Sequence, residues 1–148
     1  MSDNKKVSVS RTIAASPEAI FAVLANPHEH HAFDGSGTVQ EATFGPERLE
    51  LGSKFGMKMK FQGVPYRMTS TVKEFEENRL IAWSHFGKHR WRYELEPGTD
   101  GTRVTETFDW STAISQKFIE LSGYPKRHVG NITATLERLD EHLNPPSS

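Results

Sequence analysis

Residues 124–144, YPKRHVGNITATLERLDEHLN, carry the pattern that decides the fold. Apolar side chains recur in this stretch at intervals of three and four residues, which places them on one side of an α-helix. The members of this stripe are Val129, Ile132, Leu136, Leu139 and Leu143. Asn144 is followed by two prolines, and because proline cannot donate a helical N–H, the helix is predicted to end there. A helix with one apolar stripe needs another element to cover it.

A shorter helix is predicted just upstream of the long one. Ile114, Phe118 and Leu121 repeat the spacing of four and then three residues. Gly123 can adopt the left-handed conformation that closes a helix, and Pro125 has the fixed φ that is favoured at a first helical position. The end of the chain is therefore predicted to be a short helix, a break and a long helix.

The composition indicates one domain whose core is built from a few large side chains. The chain has 148 residues, and residues 1–148 are predicted to form a single domain that buries a core. Only 35% of the residues are hydrophobic, but nine Phe, three Trp, three Tyr and four Met supply bulk. The formal net charge of −1 gives no general attraction to polyanions, so no nucleic acid partner is predicted.

The absence of cysteine excludes a disulfide framework, a thiolate metal site and a thiol nucleophile. The sequence contains no apolar run of signal-peptide length and none long enough to span a bilayer. A cytoplasmic protein without stable membrane insertion is predicted.

The chain before residue 110 is predicted to be mostly β-strand. Residues 6–13 alternate between apolar and polar side chains, as in a half-buried strand. Residues 16–18 (SPE) start a short helix, because they offer a hydroxyl cap, a proline at the first helical position and an acid near the positive end of the helix dipole. Asn26 and Pro27 end that helix. From residue 39 onward, the alternation indicates strands joined in hairpins.

Residues 28–37, HEHHAFDGSG, form a polar connector between the short helix and the hairpins. Its three histidines and one aspartate are residue types that bind metals. No spacing among them matches a known metal-binding pattern, so the favoured interpretation is a solvated short helix followed by a glycine-rich turn. No metal and no cofactor are predicted.

The first registers follow from keeping the apolar side chains on one face of the sheet. A turn at residues 62–65 pairs Phe61 with Tyr66 and Met59 with Met68. The same register sets Met57 opposite Ser70 and Phe55 opposite Val72.

The next two hairpins continue this face. A tight turn at residues 77–78 pairs Val72 with Trp83. A three-residue loop at 87–89 then pairs Trp83 with Tyr93, whereas a two-residue loop would turn the aromatic side chains to the opposite face. The three-residue loop also sets His85 against Trp91 and Ile81 against Leu95.

The last hairpin pairs Tyr93 with Glu106 and Trp91 with Phe108. On the opposite face, this register sets two pairs of opposite charge side by side, and such pairs support it. The pairs are Arg90 with Asp109 and Glu96 with Arg103.

One face of the predicted sheet is an aromatic and methionine-rich wall, which we call the inner wall. Its apolar members are Phe55, Met57, Met59, Phe61, Tyr66, Met68, Val72, Ile81, Trp83, Trp91, Tyr93, Leu95, Val104, Phe108 and Trp110. The polar residues Ser70, His85 and Glu106 are set into it. Since a buried carboxylate is costly, Glu106 is expected to have a partner, a raised pKa or a wet surrounding, with Tyr93 as its neighbour.

The inner wall has two interpretations. Side chains of this kind, with a few polar groups among them, are typical of a pocket for a hydrophobic, partly polar molecule. The alternative is a solid core packed against the C-terminal helix. One helical stripe is narrower than the wall, so either the short helix that begins near Ser16 fills the gap or a cavity remains.

The order of the elements and several short stretches resemble the START-like (SRPBCC) superfamily, and within it the polyketide cyclase/dehydrase-like branch. The stretches are IAASPEAIF at 13–21, DGSG at 34–37, GTRVTE at 101–106, GYP at 123–125 and TLERL at 135–139. The resemblance spans residues 7–143. It implies an α+β helix-grip fold, with a seven-stranded antiparallel sheet curved around the long C-terminal helix and two short helices after the first strand. It also implies a cavity for lipids, polyketides or other hydrophobic ligands.

Three functions stay open. The first is binding or transport of a small hydrophobic ligand, lipid-like or polyketide-like, by a monomer or homodimer. The ligand-binding residues predicted for it are Met57, Met59, Tyr66, Met68, Ser70, Trp83, Trp91, Phe108 and Phe118. The second is a polyketide cyclase/dehydrase-type enzyme, in which Glu106 or His85 removes a proton next to a carbonyl and Tyr93 stabilises the enolate. The third is a regulatory protein-binding module that uses a basic outer face, composed of Lys54, Lys58, Lys60, Arg67 and Lys73.

Overall fold

The computed structural model describes residues 5–35, 39–85 and 88–145. Its strands are β1 (Lys6–Ile13), β2 (Val39–Phe44), β3 (Lys54–Phe61), β4 (Val64–Glu76), β5 (Leu80–Ser84), β6 (Arg90–Gly98) and β7 (Gly101–Asp109). Its helices are α1 (Pro17–Leu24), α2 (His30–Phe33), α3 (Gln116–Ser122) and α4 (Tyr124–Leu143), and a 3-10 turn covers Pro27–Glu29. Ser36, Gly37, Gly87 and the side chain of Phe61, all used in the sequence predictions, lie outside the described part.

The strands form one antiparallel sheet in the order β1-β7-β6-β5-β4-β3-β2. Helix α4 packs against β1, β7 and α2. This arrangement confirms the α+β helix-grip fold, with a seven-stranded sheet around the C-terminal helix and two short helices after the first strand.

The helix boundaries agree with the caps in the sequence. The Ser16 side chain accepts a hydrogen bond from the Ala19 N–H at 3.1 Å and so caps α1. Ser115 caps α3 in the same way, through the Phe118 N–H at 3.3 Å. Gly123 has a φ of 78°, closes α3 and directly precedes α4. The predicted break between the two helices is confirmed.

The register of β6 with β7 is confirmed. Trp91 pairs with Phe108 and Tyr93 with Glu106. Arg90 also lies opposite Asp109, but its guanidinium contacts Glu74 at 2.6 Å, and Arg92 is the residue whose guanidinium contacts Asp109, at 3.1 Å. The backbone pairing was therefore predicted correctly, whereas the ion pair was assigned to the wrong arginine.

Two other registers differ from the prediction by two residues. In the β3–β4 hairpin, Met59 pairs with Tyr66 and Met57 with Met68. The turn consists of Gln62 and Gly63 alone, and because both have positive φ, it has the handedness that matches the twist of the strands.

The second difference lies in the β5–β6 hairpin. Trp83 pairs with Trp91 and Ile81 with Tyr93. His85 and His89 therefore belong to the loop, where their ring centroids lie 4.6 Å apart. A shift of two residues keeps every side chain on its face, so the inner wall itself is unchanged in both hairpins.

Helices α1 and α2 cover the part of the inner wall that α4 does not reach. Phe21 of α1 packs edge-on against Phe75, with ring centroids 5.5 Å apart. A bulge between Val72 and Glu74 turns Phe75 inward, since it adds one residue to β4. His30 of α2 stacks on Trp83 with ring centroids 4.8 Å apart. These two helices therefore cover most of the inner wall that the apolar stripe of α4 leaves uncovered.

The residue that joins α2 to α4 is Gly35. Its N–H donates to the Thr135 hydroxyl at 2.7 Å, and a Cβ at this position would lie 2.5 Å from the Thr135 backbone nitrogen. Only glycine permits this close approach.

The two predicted helical stripes differ in their burial. Ile132, Leu136 and Leu139 of α4 are fully buried, as expected for the stripe that the sheet covers. The upstream stripe is instead solvent-exposed, since its three members Ile114, Phe118 and Leu121 are between 61% and 80% exposed. Ile119 of α3 is buried, although the spacing argument passed over it.

Candidate ligand-binding site on the inner wall

Most of the inner wall is buried. Its buried members are Phe55, Met57, Met59, Val72, Ile81, Tyr93, Leu95, Val104, Phe108 and Trp110, together with the polar residues Ser70 and Glu106. The apolar ones belong to one core cluster, which also includes the buried apolar residues of α1 and α4. The part of the wall under the helices is therefore a packed core.

One end of the wall is less covered. Strands β3 and β4 form a hairpin arm (residues 54–70) that extends past β5, because β4 pairs with β5 only from Thr71 onward. Met68, Trp83 and Trp91 near this end are half-buried, and Tyr66 is 37% exposed. We call these four residues the open end of the wall. Helix α4 packs chiefly on β1, β7 and α2. Helix α2 in turn lies over the start of the arm, where His30 contacts Phe55.

Tyr93 and Glu106 form a buried polar pair on neighbouring strands. The Tyr93 hydroxyl donates a hydrogen bond to the Glu106 carboxyl group, while the Glu106 Oε1 atom has no partner among the described residues. Burial raises the pKa of Glu106 well above its usual value, and the nearby Asp34 carboxylate adds to this effect, so together they outweigh the Tyr93 hydrogen bond. The expected partner and raised pKa of Glu106 are both confirmed.

Three histidines form a second polar cluster beside this pair. The ring of His128 on α4 lies 4.5 Å from that of Phe108 and 4.8 Å from that of Trp91, measured between centroids. His89 lies 5.1 Å from Phe108 and 4.6 Å from His85. Burial lowers the pKa values of His85 and His128 to about 4, with neighbouring histidines contributing, so both rings are neutral near pH 7.

The three predicted catalytic residues are thus divided between two clusters. Tyr93 and Glu106 are together, whereas His85 lies with His89 and His128. Phe108, which contacts His89, occupies the inward position of β7 next to Glu106. Of the predicted ligand-binding residues, Phe118 lies on the exposed side of α3.

Sequence reasoning missed His89 and His128. His128 is four residues before Ile132 and therefore shares the buried side of α4, a signal that was present in the spacing. His89 lies in a loop and had no such signal.

Two surface clefts, of about 410 and 420 Å³, are present on the described molecule. The larger is lined by Arg11, Ala134, Glu137, Arg138 and Glu141 on the outside of α4 and β1. The other lies mainly at the outer face of the sheet, and His85, just after β5, also lines it. Neither opens between the wall and α4.

The described residues include no group of three or more His, Asp or Glu side chains arranged to hold a metal ion. They also include no helix with the length and apolar character needed to cross a bilayer.

Residues 4–144 match the family described as polyketide cyclase / dehydrase and lipid transport. The chain belongs to this family, which confirms the resemblance to the polyketide cyclase/dehydrase-like branch of START-like proteins. Membership supports ligand binding as the general role of the chain.

Similar proteins agree with the fold and leave the ligand unnamed. An uncharacterized protein of Mycobacterium tuberculosis strain H37Rv is 44% identical over 141 residues, which cover 92% of this chain and 63% of that protein. The chain thus spans less than two thirds of this curated relative. A crystal structure of a Nitrosomonas europaea protein has a TM-score of 0.72 at 17% identity, covering 96% of both chains. The Aha1 dimer of Colwellia psychrerythraea has a TM-score of 0.63 at 17% identity, covering 97% of this chain and 98% of that one.

Proposed function

We propose that the chain binds or transports a small hydrophobic ligand, lipid-like or polyketide-like, which enters at the open end of the inner wall. The observation that carries this proposal is the incomplete cover over Tyr66, Met68, Trp83 and Trp91, while the other described apolar side chains of the wall are buried. Large apolar side chains left partly exposed on one face of a sheet favour an apolar ligand over water.

The chemistry of the open end suits such a ligand. Methionine side chains adapt to irregular apolar shapes, and the two tryptophans offer flat apolar surfaces. Ser70 is buried on the same face of β4, two residues beyond Met68, and provides a hydroxyl for a polar group of the ligand. Entry is expected to widen the space between the hairpin arm and α4, because α4 is anchored on β1, β7 and α2.

Met68 and Thr69 provide a matched test, since they lie on opposite faces of β4. Met68→Asp places a carboxylate among the ligand-facing side chains, whereas Thr69→Asp places the same charge on the outer face. We expect Met68→Asp to weaken binding of a fluorescent fatty acid or an aromatic polyketide by about tenfold or more, because a buried charge is costly to desolvate. Tryptophan fluorescence titration measures the affinity.

Thr69→Asp is expected to bind these probes as the unmodified protein does. If neither class of probe binds the unmodified protein saturably, or if both variants lose affinity equally, the proposed ligand site is wrong.

A second candidate function, a cyclase or dehydrase-type enzyme, is favoured by the Tyr93–Glu106 pair. A carboxyl group with a raised pKa can donate or remove a proton near neutral pH, and a tyrosine hydroxyl can stabilise a developing enolate oxygen. Both groups lie deep in the wall, so a substrate of this enzyme would have to reach past the open end. His85 would act on such a substrate from the separate histidine cluster.

Glu106→Gln tests both the protonation of Glu106 and the enzymatic alternative. Because the folded state raises the pKa of Glu106, its protonated form stabilises the protein at low pH, and this stability is lost as the pH rises through the folded-state pKa. In denaturant titrations at a series of pH values, the Gln variant is expected to lack this decrease in the free energy of unfolding as the pH rises. Where a poly-β-keto thioester is turned over, the same variant is expected to be slower by about a hundredfold or more.

Glu94→Gln, at an exposed position next to Tyr93, is the control for both measurements. It is expected to keep the pH dependence and any turnover of the unmodified protein. Parallel stability curves for the Glu106 variant and the unmodified protein would contradict the assigned protonation, and full turnover by that variant would exclude Glu106 from the reaction.

A further inference from the structure

We propose that the cleft of about 410 Å³ on the outer face of the sheet binds the phosphate group of a small phosphorylated ligand. His85, which the sequence placed on the inner wall, also lines this cleft, but the cleft includes none of the four residues at the open end of the wall. The cleft is formed by β4, the end of β5, the start of β6, the described residues His85 and Lys88, and Thr112 after β7. Its cationic lining residues are Lys73, Lys88 and Arg90.

Hydroxyl groups line the same cleft. Thr69 and Thr71 lie at alternate positions on the outer face of β4. Thr71 pairs with Ser84 and Ser84 with Arg90, so two hydroxyls and a guanidinium form one row across three strands. Thr112 adds a further hydroxyl from the segment after β7. Hydroxyls and cations together are the groups that bind phosphate oxygens.

The positive charge of the cleft is not cancelled by the acids beside it. Glu74 accepts hydrogen bonds from Arg90 and Arg92, and Asp109 contacts Arg92 at 3.1 Å. Two carboxylates are thus matched by two guanidiniums in one partly buried network. Among the described residues, neither Lys73 nor Lys88 forms an ion pair, so these two ammonium groups are a local excess of positive charge.

Both lysines are held at the cleft by the backbone. Lys73 lies at the bulge between Val72 and Glu74, where the extra residue allows Lys73 and Glu74 to share the outer face. Lys88 has a φ of 64°, and its carbonyl accepts a hydrogen bond from the Thr112 hydroxyl at 2.7 Å. The bulge and the loop thus bring the charges together although the two lysines are 15 positions apart in sequence.

The size and shape of the cleft favour a small ligand. A phosphate group presents three or more oxygens to the lysines and hydroxyls at once, whereas a carboxylate presents two. The space suits a phosphorylated metabolite or the headgroup of a phospholipid, which share this chemistry.

The test compares two charge-matched double variants. Lys73→Gln with Lys88→Gln removes both excess charges from the cleft. Lys60→Gln with Arg67→Gln removes two exposed charges from the same face of the hairpin arm, outside the cleft. Inorganic phosphate and glycerol 3-phosphate are titrated at constant ionic strength, and the affinity is measured from amide chemical shifts around Thr71 and Ser84.

Saturable binding to the unmodified protein is expected for both compounds. The cleft variant is expected to bind about tenfold more weakly or worse, and the arm variant to stay within about twofold. Absence of saturable binding, or an equal loss in both double variants, would overturn the proposal.

A second experiment uses phosphatidylcholine vesicles that contain phosphatidic acid. Vesicle binding that inorganic phosphate displaces and that the cleft variant lacks assigns the site to a lipid headgroup. Binding of glycerol 3-phosphate without binding of vesicles assigns it to a free phosphorylated metabolite.

Discussion

Alanine at position 108 is expected to lower the free energy of unfolding by about 3 to 5 kcal/mol. Phe108 is 1% exposed, and its ring lies between the sheet and α4, 4.8 Å from Trp91 and 4.5 Å from His128. Removing the ring leaves a cavity at the contact between the two layers of the fold. Urea denaturation at neutral pH measures the loss.

Phe118 provides the matched control, since it is the same residue type and was predicted from sequence as another ligand contact. It is 61% exposed, so Phe118→Ala is expected to change the stability by no more than about 0.5 kcal/mol. Comparable losses in the two variants would contradict the packing described for α3 and for the inner wall.

Acidification from pH 7 to pH 4 is expected to remove about 3 kcal/mol of stability through His30 alone. His30 is 5% exposed, its Nε2 atom is 2.9 Å from the Leu24 carbonyl oxygen, and its ring stacks on Trp83. Burial lowers the pKa of His30 from 6.5 to about 4, and the neighbouring histidines His28 and His31 add to the shift. A shift of about 2.5 units corresponds to about 3 kcal/mol.

The direction follows from the protonation of the two states. The unfolded chain takes up a proton at His30 below pH 6.5, while the folded chain resists it until the pH nears 4. The stabilisation is therefore complete above pH 6.5 and is lost as the pH falls toward 4. His85 and His128 change stability in the same direction, by amounts that solvent screening reduces because their side chains are less buried.

His30→Phe keeps an aromatic ring against Trp83 and removes the titrating group. We expect this variant to lose about 1 kcal/mol at pH 7, because the Leu24 carbonyl loses its partner, and to lose less stability on acidification than the unmodified protein. His31→Gln, at the exposed neighbouring position, removes only the smallest cause of the shift and is expected to keep most of the acid dependence of the unmodified protein. Identical acid dependence of the His30 variant and the unmodified protein would show that burial of this ring is not the cause.

The connector that contains His30 shows how a local pattern can mislead. The predicted short helix and turn exist, and His31 is exposed as a solvated connector requires. His30 is buried because α2 lies over β3 and β5, where Phe55 and Trp83 surround its ring. Nothing in residues 28–37 indicates which side of so short a helix meets the sheet.

The strand registers likewise were predicted only in part from the sequence. Alternation assigned the described apolar residues of the wall to their correct face, whereas His85 lies beyond the end of β5 and lines the outer cleft. The β6–β7 register was predicted in full. The β3–β4 and β5–β6 registers were each wrong by two residues, because alternation has a period of two and does not distinguish registers that differ by that amount. The turn at Gln62 and Gly63 and the packing of His85 on His89 select the registers that form.

The C-terminal stretch that decides the fold shows both what the sequence determines and what only the tertiary structure decides. Its spacing and caps define two helices, the break between them and the buried side of α4, because the period of the apolar residues indicates which side of a helix is buried. The same spacing placed Phe118 and its neighbours on a second apolar stripe, yet these side chains are exposed because no described strand lies over them. The two polar clusters, the open end of the wall and the cationic outer cleft join residues from distant parts of the chain. They follow from which elements lie opposite one another, and this is decided only when the sheet closes around α4.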